Sequence, residues 1–118
     1  MMKNKVFLIG RVVKNPTIET TENGNKRVYS TLAVPRSYKN ADGEYDTDFV
    51  DFVAWGNTAE NYGSYCKKGD LIGIEAKVET STYETENGDK KKSTQIVADN
   101  IHYLSSVKEK SSEDDLDM

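Results

Sequence analysis

The chain of 118 residues is poor in the residues that build covalent or metal chemistry. One cysteine, Cys66, excludes an internal disulfide, and one histidine, His102, excludes a histidine-rich zinc site. A Ser/His/Asp or Cys/His hydrolase would have to use His102 as its base, and no nucleophile motif lies near it. The only prolines are two. No apolar run approaches the roughly 18 residues of a membrane span. The first ten residues hold only the short run Val6 to Ile9, too little for a signal peptide, so the expectation is a soluble, cytoplasmic protein. These absences favour binding over catalysis.

What is present is charge and β-forming sequence. Sixteen Lys and Arg stand against 20 Asp and Glu, a net charge of −4, and mean hydropathy is −0.74. Five of the acids fall in residues 105–118, SSVKEKSSEDDLDM. The remaining body is nearly neutral and has room for a basic face. Residues 1–104 are expected to form one domain, and 105–118 a disordered acidic tail without aromatics.

Val6–Val13 reads as a strand with Gly10 as a bulge or close-packing point. The turn Glu22-Asn23-Gly24-Asn25 leads to a second strand at Arg27–Pro35. A loop at Asn40-Ala41-Asp42-Gly43 precedes a third at Asp46–Trp55. One helix is expected at Thr58–Lys67, with Asn57 as N-cap, Glu60 completing a capping box, Lys67 and Lys68 at its C-terminus and Gly69 ending it. A fourth strand at Asp70–Tyr83 and a turn at Glu86-Asn87-Gly88-Asp89 lead to a fifth at Ser93–Leu104. Five strands with a helix between the third and fourth is the order of an OB-fold, a five-stranded Greek-key barrel. Another small β-barrel would share that order.

Alternation assigns Val50, Phe52 and Ala54, and Ile72, Ile74, Ala76 and Val78, to the core. It turns Phe49, Asp51, Val53 and Trp55 outward, along with Glu75, Lys77, Glu79, Ser81 and Tyr83. Phe49, Trp55 and Tyr83, with Tyr38 on the loop after strand two, therefore form one candidate surface. Arg27, Arg36, Lys39, Lys77, Lys90, Lys91 and Lys92 surround it with positive charge. Bases of an unpaired strand stack on such rings while cations neutralise phosphates. Each ring alone fits equally well as a barrel cap or a subunit contact.

The chain resembles the bacterial and phage single-stranded DNA-binding proteins over roughly residues 4–104. The matching segments are NKVFLIGRVVKNP, STLAVPRSYKNADGE, TDFVDFVAWGNTAENYGSYCKKGDLIGIEAKV and, in layout, STYETENGDKKKSTQIVADNIHYL. The resemblance implies an OB-fold, a homotetramer and base stacking at four aromatic positions, which fall on Tyr38, Phe49, Trp55 and Tyr83. It implies coating of unpaired DNA in replication, recombination and repair, without a cofactor or turnover. Two departures stand out. Asp51 and Glu79 occupy positions beside the aromatics where they repel phosphate, so stacking and Lys90–Lys92 are expected to carry more of the binding. The acidic tip, with Asp114, Asp115 and Leu116, lacks the Pro-Phe ending through which the family recruits replication and repair proteins.

Three other readings fit parts of the sequence. Asp42, Glu44, Asp46, Asp48 and Asp51 suggest a divalent-metal nuclease, although a calcium-binding loop begun at Asp42 would have Thr47 and Val53 where Gly and Glu are needed. A protein-interaction barrel would use the rings for assembly alone. An RNA or cold-shock-type binder would stack bases as readily. His102 reads as a strand-surface or interface residue and Cys66 as a small buried hydrophobe. Arg11 and Lys14 face nucleic acid or a neighbouring subunit.

Overall fold

The structure is a computed structural model that describes residues 2–105. The expected tail, with Asp114, Asp115 and Leu116, lies outside the described residues. The elements are β1 (Val6–Val12), β2 (Glu19–Thr20), β3 (Lys26–Lys39), β4 (Tyr45–Trp55), α1 (Gly56–Tyr65), β5 (Leu71–Glu84) and β6 (Lys90–Ser105). The sheet runs β1-β5-β6-β4-β3-β2, and a further pairing of β1 with β3 closes it into a five-stranded barrel with β2 outside the ring. The order and closure are those expected of an OB-fold. No helix among the described residues is long and apolar enough to cross a membrane.

Closure depends on β1 serving two neighbours. Val6 to Arg11 pair with Ala76 to Leu71 of β5, while Arg11 and Val12 pair with Ala33 and Leu32 of β3. Gly10 sits at the crossover without breaking the register. A Cβ there would lie 2.5 Å from the Ala33 carbonyl oxygen. Gly10 is thus a close-packing point rather than a bulge. The register shifts fall at Pro35/Lys39, Leu71/Ile72 and Glu75/Ala76.

The core is filled by Val12, Val28, Leu32, Phe52, Ala54, Ile72, Ile74, Ala76 and Ala98, with Ala59, Tyr62 and Cys66 packed against them from α1 and its C-cap. Phe52 meets Tyr62 edge to face at 5.5 Å between ring centroids. The Tyr62 hydroxyl shares a 2.7 Å hydrogen bond with Ser30 Oγ, which satisfies both polar groups away from water. Burial pushes the Tyr62 hydroxyl pKa upward and raises the Cys66 thiol to about 12, so Cys66 is an inert core residue, as expected.

Several expectations need correction. The helix is Gly56–Tyr65, not Thr58–Lys67, and its N-cap is Trp55, without a side-chain cap bond, so Asn57 and Glu60 form no capping box. Gly56, at φ +61°, turns the chain from strand directly into helix, a conformation that L side chains resist. The C-cap is Cys66, whose N–H donates to the Tyr62 carbonyl, so Lys67, Lys68 and Gly69 lie beyond the helix. Val53 keeps the outward parity expected of it but is buried, at the point where β4 pairs with β6 through Val97. Val50 and Val78 are only half-buried, at the point where their hairpins leave the barrel. The strands also outrun their expected limits: β3 reaches Lys39 and β6 begins at Lys90.

Replacing Gly10 with Ala should destabilise the barrel by about 1–3 kcal/mol, because the obstructing atom is backbone and cannot rotate away. Urea unfolding would measure it; an unshifted midpoint would show that the β1–β3 approach is looser than described.

Candidate nucleic-acid interface

The outer face of the β3–β4 ladder carries a short row of rings with one cation, Arg27, among them. Residues directly opposite in an antiparallel pair share a face, and here the pairs are Arg27 with Trp55, Tyr29 with Val53, Thr31 with Asp51 and Ala33 with Phe49. Phe49 is 66% exposed, Tyr29 49% and Trp55 42%, although all three are large and apolar. The Arg27 guanidinium lies 5.0 Å from the Tyr29 ring centroid and 5.6 Å from that of Trp55. Glu19 of β2 holds it with an N–O separation of 3.5 Å, while its Nε is buried without a partner. The cation therefore bridges two rings at the edge of the barrel, an arrangement that contributes about 0.5–1 kcal/mol at an exposed site.

Tyr29 is a member of this row that the sequence reading does not include, since Arg27–Pro35 is assigned as a strand there without being sorted into faces. The available signal is its odd-numbered position, shared with Arg27 and Thr31.

The other predicted rings lie farther along the two hairpins. In the β3–β4 hairpin, Arg36 Nε donates to both Asp48 oxygens, at 3.1 and 3.3 Å, and Nη2 donates to Oδ1 at 3.0 Å. Arg36 Nη1 also lies 3.4 Å from the Tyr38 hydroxyl, with the ring centroid 6.0 Å from the guanidinium carbon. The hydrogen bond to Arg36 holds the Asp48 carboxyl below its usual range, and the same bond raises the Arg36 pKa. Asp48 points away from the face of its neighbour Phe49, so this cluster and Tyr38 gather on the opposite side of the ribbon. Alternation selects Phe49, Trp55 and Tyr83, and Tyr38 joins them from the loop after strand two; in the structure Tyr38 lies within β3, on the side that Arg36 occupies two residues earlier.

In the β5–β6 hairpin Tyr83 pairs with Lys91, which shares its face, whereas Lys92 opposite Thr82 and Lys90 opposite Glu84 point to the other face. Lys77 is held by Glu79 at 3.3 Å and by Asp99 at 3.9 Å. Arg27, Arg36 and Lys77 are thus ion-paired. Lys39, stacked over Tyr45 at 5.8 Å, and Lys90, Lys91 and Lys92 have no carboxylate partner among the described residues.

A groove of about 390 Å³ opens between β3–β4 and β6, lined in part by Lys14, Tyr29, Thr31, Asp51, Ser93 and Gln95. Arg11, by contrast, donates to the Gly69 carbonyl at 3.0 Å. The acidic cluster does not converge. Asp46 accepts from Asn40, Asp48 from Arg36 and Asp51 from Thr31, and among the described residues no three His, Cys, Asp or Glu side chains are placed to share a metal ion. His102 is surface-exposed and bonds Glu75 at 2.8 Å, which lowers the Glu75 pKa.

A closed five-stranded barrel with an aromatic outer face fits many lineages, but one family model spans nearly all of it. Residues 3–104 match the Single-strand binding protein family. The chain belongs to that family. Single-strand binding family relatives include Single-stranded DNA-binding protein 1 of Clostridium acetobutylicum, 41% identical over 90% of this chain and 97% of that protein. Single-stranded DNA-binding protein B of Bacillus subtilis is 41% identical over 87% of this chain and 91% of its own length. Among solved structures of the family, a deletion mutant of the single-stranded DNA binding protein from Thermus aquaticus superposes with a TM-score of 0.74 at 28% identity. That match covers 89% of this chain and 52% of the other.

Substituting Arg27 with Ala should uncover the Trp55 indole at a stability cost below about 1 kcal/mol. Acrylamide quenching of the single tryptophan should become steeper; an identical quenching curve would mean that the guanidinium does not shield the ring.

Proposed function

We propose that this chain is a sequence-tolerant single-stranded DNA-binding protein that coats and protects unpaired DNA during replication, recombination and repair in the cytoplasm. The observation that carries this reading is the exposed ring row of Phe49, Tyr29 and Trp55 on the β3–β4 face, with the Arg27 guanidinium over two of the rings, in a chain of the Single-strand binding protein family. Both Clostridium and Bacillus relatives bear the name single-stranded DNA-binding protein. Unpaired bases offer flat faces that stack on such rings, whereas a duplex keeps its bases stacked on one another.

Phe49 and Trp55 act as stacking platforms on the barrel, and Tyr38 and Tyr83 extend the path along the two hairpins. Lys39, Lys90, Lys91 and Lys92 meet phosphates directly, since no carboxylate among the described residues neutralises them. Arg27, Arg36 and Lys77 exchange a carboxylate for a phosphate when the strand arrives. Residues 1–104 form the binding domain, and the acidic residues beyond it, with Asp114, Asp115 and Leu116, are the segment that meets other proteins. The mechanism is passive and uses no cofactor. Assembly as a homotetramer follows from the family resemblance, and Phe7 and Ile9, 56% and 49% exposed on β1, offer an apolar contact for a second copy.

Trp55 reports on its own role. Oligo(dT) should quench its fluorescence strongly and duplex DNA should not. Trp55→Ala should lose about 1–3 kcal/mol of binding free energy with the fold unchanged; equal affinity in variant and parent would remove Trp55 from the interface.

Joint replacement of Lys90, Lys91 and Lys92 by Ala should flatten the dependence of log affinity on log salt by about 0.7 for each phosphate that is no longer neutralised. A salt slope equal to that of the parent would take this hairpin off the DNA path.

A further inference from the structure

The groove beside the ring row is more specialised than a phosphate track requires. Its sides are the outer face of β3–β4 and the start of β6, and Tyr29 presents a half-exposed ring into it. Lys14 stands on one rim as its cation, with Ser93 and Gln95 on the β6 side. Asp51 is exposed in this groove, where its charge repels a backbone phosphate. Thr31 Oγ1 donates to Asp51 Oδ1 at 2.6 Å and fixes the carboxylate's direction. The second oxygen, Oδ2, has no hydrogen-bond partner among the described residues.

From this arrangement we infer that the groove is a nucleobase subsite in which Tyr29 stacks the ring and Asp51 accepts a hydrogen bond from the exocyclic amino group of cytosine or adenine. The inference rests on the single-stranded DNA reading and adds to it a local base preference. A carboxylate is acceptor-only, and the cytosine N4 amino group is a donor that matches it. Thymine places the O4 oxygen at the same corner of the ring, where it meets the carboxylate acceptor to acceptor. The Thr31 bond serves this purpose because an oriented carboxylate discriminates edges, whereas a freely rotating one only repels charge. Lys14 offsets that repulsion by holding the phosphate of the same nucleotide at the rim.

Cytosine and thymine have the same ring size, so competition between oligo(dC) and oligo(dT) of equal length isolates the edge. The full chain, Asp51→Ala, Asp51→Asn and Tyr29→Ala would each be titrated with both strands and with oligo(dU), which lacks the thymine methyl group. The dC-to-dT affinity ratio should fall by about tenfold in Asp51→Ala, the scale of one base-edge contact, and similarly in Asp51→Asn. Tyr29→Ala should weaken both strands together. Overall affinity is expected to rise in the Asp51 variants as repulsion is removed, and the ratio is unaffected by that gain. Parent and Asp51 variants that bind both strands with the same ratio would overturn the subsite and leave single-strand binding intact. Oligo(dU) that tracks oligo(dC) instead of oligo(dT) would overturn it too, by assigning the preference to the methyl group. A parent that binds none of the strands would overturn the functional reading itself.

Discussion

The double pairing of β1 is the constraint on which the rest of the molecule depends. One seven-residue strand must bond β5 along most of its length and β3 at its end, and the backbones can approach only where a side chain is missing. Gly10 supplies that gap against the Ala33 carbonyl. Once the ring is closed, the inner faces of β3, β4 and β5 have nowhere to go but the core, and Tyr62 fills it from the helix with its hydroxyl satisfied by Ser30. The outer face of β3–β4 is then held by the closed ring, which is what a stacking surface needs. Rings on a mobile loop would lose to entropy much of what they gain by stacking.

Electrostatics on that surface are arranged around competition. Three cations suited to phosphate already hold carboxylates: Arg27 with Glu19, Arg36 with Asp48, and Lys77 with Glu79 and Asp99. Exposed pairs of this kind contribute little to stability. They orient long side chains across or beside aromatic faces, and they exchange partners at small cost. The lysines at the hairpin ends, which hold no carboxylate among the described residues, provide the net attraction that draws a polyanion in. Asp51 and Glu79, which in the sequence read only as repulsive, acquire distinct roles from their neighbours. Glu79 is neutralised by Lys77, and Asp51 is aimed by Thr31.

The limits of alternation show in β4. Phe52, Val53 and Ala54 are buried in succession where β4 pairs with β6 through Val53 and Val97. Two-sided burial over three residues defeats a period of two. The helix start departs from expectation for a different reason. Asn57 and Glu60 have the chemistry of a capping box, but Gly56 takes a left-handed conformation and begins the helix directly from Trp55. A backbone turn replaces the side-chain cap.

The β character of the segments, the Gly-centred turns at Gly24 and Gly88 and the single helix between β4 and β5 follow from local chemistry. β-branched runs, Asn-Gly pairs and side-chain alternation act between near neighbours, so the chain itself carries them. Phe49 and Trp55 are legible as outward rings for the same reason. Tertiary structure decides the rest. Tyr38, expected in a loop, lies in β3 on the side of Arg36, and Lys90, Lys91 and Lys92, expected before the fifth strand, lie within β6 and so alternate between its faces. Tyr29 is brought to Arg27 and Trp55, and β3–β4 to β6, so that a groove exists at all. Each of these outcomes depends on which strand lies alongside and in what register, and those relations join residues far apart in the chain.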